Sequence, residues 1–176
     1  MRTLFPVIAG AAIVVLGLSE IAVAAEDRYT LKIPDGLPFA DIKGYETWQI
    51  VAPSQVEGGL KVILANPAMI AAYRAGAPGG HKAFPEGSKI VKIEWSQKKM
   101  ANSPYFAMTP DKLKSVSFIE KDSKRFPKSH GWAYAQFLYD PATATFKPGV
   151  TGTDCGNACH TTVAAQDYIF TPYPPR

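Results

Sequence analysis

Six residues near the C-terminus, Cys155-Gly156-Asn157-Ala158-Cys159-His160, constrain this 176-residue chain more than any other stretch, because they hold its only two cysteines and end in a histidine. Two thiols followed at once by an imidazole suit a c-type haem, in which the thiols add to the vinyl groups and the histidine ligates the iron. The usual motif has two residues between the cysteines, and this one has three. On a helix, residues three apart are separated by about 300° and residues four apart by about 400°, so either pair falls within about 60° of one face. The rise between the cysteines grows from about 4.5 to about 6 Å, which local winding can absorb. Two other readings stay open: a local disulfide, or two small buried residues at the end of the domain. A disulfide closing so short a loop would constrain little and would leave His160 without a role.

The N-terminus indicates where such chemistry would take place. Arg2 supplies a positive start, Leu4 to Leu18 is an almost unbroken apolar run, and Ala22-Val23-Ala24 offers a small-residue cleavage pattern. Residues 1–24 therefore read as a secretory signal, with the run shorter than the roughly 20 apolar residues of a membrane span. The expectation is a periplasmic protein with no membrane association after cleavage. About 150 mature residues, nearly half of them apolar, suffice for one domain, taken as residues 25–176, with its own core. A single adjacent cysteine pair is a poor disulfide framework for an exported protein, which again favours haem.

Net charge is only +4, but between Lys89 and Lys128 ten Lys/Arg stand against four acids. Such a patch could steer an acidic redox partner protein, or it could be the solvated face of strands and loops. Nothing in this balance points to nucleic acid.

Along the chain, Thr47 to Val51 and Leu60 to Leu64 read as short strands bounded by Pro53-Ser54 and Gly58-Gly59. Asn66 to Gly76 is the clearest helix: Asn66 can cap it, Pro67 fits its first position, Gly76 can end it, and Met69, Ile70 and Tyr73 share one face. Ala77 to Ser88 is a Gly- and Pro-bearing loop. Lys89 to Trp95 alternates, with Val91, Ile93 and Trp95 on one side and Lys92 and Glu94 on the other. Lys114 to Ile119 and Gly131 to Tyr139 complete the strands, the last apolar enough on both faces to be covered, one of them by a flat cofactor. Asp140 to Gly152 reads as a polar connection. Short strands joined by turns, with few helices, predict an α+β fold, mainly an antiparallel β-sheet with a few short helices at its side.

Several blocks together carry a family resemblance. Lys121-Asp122-Ser123-Lys124-Arg125-Phe126, then Gly131-Trp132-Ala133 and an aromatic strand, then Cys-Xaa-Xaa-Xaa-Cys-His-Thr and Asp167-Tyr168-Ile169-Phe170-Thr171, resemble the cytochrome P-460 family, related to cytochrome c′-beta. The stretch from Asn66 to Trp95 is similar to a branch of that family with the longer cysteine spacing, and the likeness spans about 44–171. The resemblance implies a mainly antiparallel β fold, often a homodimer, around one covalently attached haem c. Cys155 and Cys159 would form the thioethers and His160 would be the proximal iron ligand. Founding members carry five-coordinate iron and a lysine bonded to the porphyrin, and they oxidise hydroxylamine; related members bind nitric oxide or carbon monoxide. The position of that lysine stays open, with Arg74 or its neighbours, Lys61 and Lys82 as the alternatives. Without it, gas binding or a small peroxidase-like activity is the expectation.

Iron held by one histidine keeps a position for a small ligand such as hydroxylamine or nitric oxide. Oxidising hydroxylamine also releases protons, and Glu94 is the candidate catalytic base, its alternative being a surface carboxylate paired with a lysine. His81 and His130 sit in turns and read as solvated, Met69 as core, and Met100 and Met108 as flanks of the Asn-Ser-Pro-Tyr loop. Phe118, Trp132, Tyr134 and Phe137 could wall a pocket, though strand aromatics are first of all core. Three classes of function follow: a haem oxidoreductase acting on hydroxylamine, a haem protein binding nitric oxide or carbon monoxide without turnover, and an exported β-domain whose cysteines are structural.

Overall fold

The computed structural model describes residues 27–34, 36–149 and 152–176, so the signal read at residues 1–24 lies outside the described residues. Six strands, β1 (Gln49–Val56), β2 (Gly59–Ala65), β3 (Lys89–Lys99), β4 (Met108–Lys121), β5 (Trp132–Asp140) and β6 (Thr145–Pro148), form one sheet in chain order. Every neighbouring pair is antiparallel. With α1 (Pro67–Arg74), α2 (Thr153–His160) and several 3-10 turns, the architecture is the expected α+β fold.

Local chemistry explains the punctuation. Gly58, at φ +69°, closes the two-residue turn between β1 and β2. Asn66 starts α1: its side-chain oxygen accepts from the amides of Met69 and Lys89, each at 3.1 Å, and its amide donates to the Gly87 carbonyl at 2.8 Å. One side chain thus caps the helix and ties it to the start of β3. Met69, Ile70 and Tyr73 are the buried face of α1, as their spacing predicts.

The sheet is covered on both faces because strand alternation sends apolar residues both ways. On one face Leu64, Val91, Val116, Phe118, Ala133 and Phe137 pack under Ile33, Leu37, Phe39, Ile42 and Tyr45 of the N-terminal segment. Phe39 is central there, with ring centroids 4.9 Å from Phe137 and 5.2 Å from Phe146. On the other face Val51, Ile63, Ile90, Ile119, Trp132 and Tyr134 meet α1, Phe84 and Ile169. α2 lies beside β5 on this second face, where Gly156 meets Tyr134.

Three boundaries differ from expectation. β1 runs through Pro53 and Ser54 to Val56, because β1 is a sheet edge and a missing amide there can face away from the ladder. The stretch from Asp140 to Gly152 contains β6, a four-residue edge strand with only Phe146 turned into the core. β3 and β4 extend to Lys99 and from Met108, pairing as a polar two-stranded ribbon beyond the buried part of the sheet.

Candidate cofactor site

α2 owes its position to one residue without a side chain. Gly156 is the only buried residue of the helix, and a Cβ there would fall 2.7 Å from Tyr134 Cδ1 and closer still to Cγ and Cβ of the same side chain. The helix therefore lies directly on β5. Cys155 and Cys159, on the same helix as Gly156, are exposed free thiols, and both line a cavity of about 400 Å³.

His160, the last residue of α2, lines the same cavity. Its ring lies between Tyr134, at 4.7 Å and tilted 53°, and Phe170, at 4.8 Å and nearly edge-on. Nδ1 is 2.6 Å from the Tyr168 carbonyl oxygen. A carbonyl only accepts, so Nδ1 carries the proton and Nε2 keeps its lone pair for a ligand. Burial pushes the His160 pKa down and the Lys92 charge adds to this, while the Tyr168 carbonyl pulls it upward. The net effect favours the neutral imidazole that metal ligation needs.

The opposite wall comes from alternate residues of four strands: Lys61 and Ile63, Ile90 and Lys92, Ser117 and Ile119, and Tyr134 and Gln136. Burial and the neighbouring Lys61 charge lower the Lys92 pKa, against the pull of Glu94. Sequence alternation placed Lys92 on a polar strand face and missed its role as a cavity wall. The signal was available, since Ile90 has the same parity and cannot be left in water. Of the aromatics expected to wall a pocket, Tyr134 lines the cavity; Phe118, although it borders the cavity, stacks on Phe137 in the opposite core, and Trp132 packs beside Phe84.

Glu94 is not among the lining residues. Its carboxylate binds Lys114 at 2.9 Å and Lys61 at 3.8 Å, and these contacts hold its pKa below the usual range although burial pushes the other way. Of the three positions weighed for a crosslinking lysine, only Lys61 lines the cavity. Lys82 donates to the Ala75 carbonyl, and Arg74 donates to Gln49. Met69 is on the buried face of α1, and neither Met100 nor Met108 lines the cavity. The ring of His130 stacks on Tyr168 at 4.6 Å. Within the basic stretch, Lys89, Lys98, Lys114, Lys121 and Arg125 each have an acidic partner.

The residues present fit a haem held through two thioethers. Two free thiols and one imidazole with Nε2 available share a cavity whose volume lies in the roughly 300–1,000 Å³ range of ligand sites. Phe170 lies half exposed at its edge, and the buried Tyr134 hydroxyl has no hydrogen-bond partner among the described residues. Among the described residues no three His, Cys, Asp or Glu side chains converge to hold a bare metal ion.

A family model described as cytochrome P460 matches residues 42–171, which takes in the whole sheet and the cavity. No curated protein matches the chain.

Proposed function

We propose that this chain, which belongs to the cytochrome P460 family, is an exported, periplasmic mono-haem c-type protein that oxidises hydroxylamine or a similar small nitrogen compound. One observation carries the reading: Cys155, Cys159 and His160 line a single cavity, with His160 Nδ1 already committed to the Tyr168 carbonyl. Cys155 and Cys159 would hold the haem covalently and His160 would be its ligand. When bound, the haem supplies one-electron redox chemistry and a coordination position open to a small molecule.

The chain's own residues do the rest. Ile63, Ile90 and Ile119 keep the cavity apolar, which strengthens every charge interaction within it. Protons released on oxidation need an acceptor, and the candidate is the Glu94 carboxylate, which is paired to the cavity residue Lys61. Lys61 and Lys92 line the cavity, and either would be a candidate for the family's porphyrin bond. Electrons would pass to a redox partner protein drawn to the basic residues between Lys89 and Lys128, and the family's homodimer is the expected assembly.

A second reading has an observation of its own. None of the described residues lining the cavity is Asp or Glu, and Glu94 is occupied by two lysines. A cavity without a carboxylate base suits nitric oxide or carbon monoxide binding without turnover. Anaerobic addition of hydroxylamine to the ferric protein separates the two. Reduction of the iron with catalytic turnover supports the oxidoreductase; no hydroxylamine-dependent reduction, together with a nitrosyl or carbonyl spectrum when nitric oxide or carbon monoxide is added, supports gas binding.

A further inference from the structure

His160 is fixed by α2 on one side, but the group that meets its Nδ1 belongs to a different segment, and that segment is held by Asp167. The Asp167 carboxylate collects donors from three elements. Oδ2 accepts from the Phe84 amide at 2.7 Å and from Lys121 Nζ at 2.6 Å, and Oδ1 accepts from Trp132 Nε1 at 3.4 Å. Phe84 precedes β3, Lys121 ends β4 and Trp132 begins β5. The ion pair is enclosed, with the Lys121 side chain 9% and the Asp167 side chain 13% exposed.

Asp167 and Tyr168 both have positive φ, +49° and +64°. Consecutive non-glycine residues in that region are costly and persist only where the surroundings hold them. They turn the chain sharply after the 3-10 turn Thr161–Gln166, so that the Tyr168 carbonyl meets His160 Nδ1 and Phe170 meets the ring. Two backbone bonds to that turn, the stack of Tyr168 on His130 and the burial of Ile169 in the second core also hold the bend, and the Asp167 carboxylate is its charged tie to the sheet. We infer that Asp167 is a positioning residue for His160: through the bend it anchors, it holds the Tyr168 carbonyl on Nδ1 and so fixes both the tautomer and the aim of Nε2. Partners that bond the second nitrogen of a ligating histidine set its basicity and orientation. Here the partner is a backbone carbonyl, and Asp167 controls it from one residue away. The inference rests on the haem reading for what His160 does, though not for how it is held.

The test uses the full mature chain with D167N, with the double variant D167N/K121Q, and with Leu37→Ala on the opposite face of the sheet as a control. Asparagine keeps the size of Asp167 but turns one acceptor into a donor, so one of its three donors then faces a donor. K121Q removes the cation that D167N would strand, and it carries the test should D167N fail to fold. The readouts are the ferrous iron–histidine stretching frequency, the midpoint potential, and the nitrogen shifts of His160 in chain produced without haem attachment. Both Asp167 variants should lower the stretching frequency and shift the ferric–ferrous equilibrium toward ferrous about tenfold, equivalent to about 59 mV for one electron. They should also turn a single Nδ1-protonated His160 into a tautomer mixture, while Leu37→Ala lowers stability and leaves all three readouts in place. Folded Asp167 variants with the stretch, potential and tautomer of the parent overturn the inference, as does a Leu37→Ala that moves them equally. If the parent retains no haem, the proposed function fails while the His160 shifts still decide the role of Asp167.

Discussion

Replacing Gly156 with alanine tests the packing that places the site. In an exposed helix this change stabilises by up to about 1 kcal/mol, because glycine is the poorer helix former. Here the added methyl would fall 2.7 Å from Tyr134 Cδ1, whereas carbon atoms settle at roughly 3.5–4.0 Å. Cγ and Cβ of Tyr134 would be closer still, so α2 or the ring must move by more than about 1 Å. Tyr134 is 2% exposed and backed by the second core, so it cannot retreat into solvent. Overpacking of this kind costs about 1–3 kcal/mol, and the enclosed ring argues for the upper half of that range. Set against the helix gain, the net loss should be about 1–2 kcal/mol, or about 2–8 °C in Tm for a chain of this size. Thermal melts by circular dichroism measure it, and the same change in a Tyr134→Ala background isolates its cause. With the ring gone, Gly156→Ala should be neutral or stabilising, giving a coupling of at least about 1 kcal/mol. A Gly156→Ala protein that melts at or above the parent temperature with Tyr134 intact would refute the close approach of α2 to β5.

Other expectations follow from the same contacts. Asn66→Ala should cost about 2 kcal/mol in urea unfolding, since it removes the α1 cap together with bonds to Lys89 and Gly87; a loss below about 0.5 kcal/mol would contradict that joint role. Glu120 is buried, and burial raises its pKa above the ordinary 4.5 despite Lys89 nearby. The folded state then holds this proton to higher pH than the unfolded state, so its contribution is complete below 4.5 and is lost as pH rises through the folded value. Glu120→Gln should flatten the decline in stability that sets in as pH rises above 4.5, and an unchanged slope would be the contrary result. Lys92→Met removes a charge held among apolar cavity walls beside Lys61, so its Tm should rise; a lower Tm would show that the charge has a stabilising partner.

What could be read from the sequence was what rests on local chemistry. The start of α1 was legible because capping needs only Asn66 and Pro67, and its buried face because helical spacing needs only Met69, Ile70 and Tyr73. The helical setting of Cys155, Cys159 and His160 was legible only from the spacing of the motif itself, since α2 has no side-chain cap and buries only Gly156. Edge strands were harder. Proline stops an inner strand but is tolerated in β1, and β6 has a single inward aromatic, Phe146, which is too little for a period-two pattern. The segment that covers one sheet face through Phe39, Ile42 and Tyr45 is built of 3-10 turns with no long period to detect. Lys92 was hidden because alternation tells which residues share a face, while tertiary packing decides which face is enclosed. The Tyr168 carbonyl leaves no trace in side-chain identity at all, and only the fold brings it to His160.

The central claim is that Cys155, Cys159 and His160 together hold a covalent haem. The most direct measurement is the intact mass and denatured absorption spectrum of the full chain exported alongside a cytochrome c maturation system, compared with Cys155→Ser/Cys159→Ser. The parent chain should retain one haem through denaturation and the double variant none. A parent chain that emerges folded and exported without covalent haem, under conditions in which another c-type protein is matured, would contradict it.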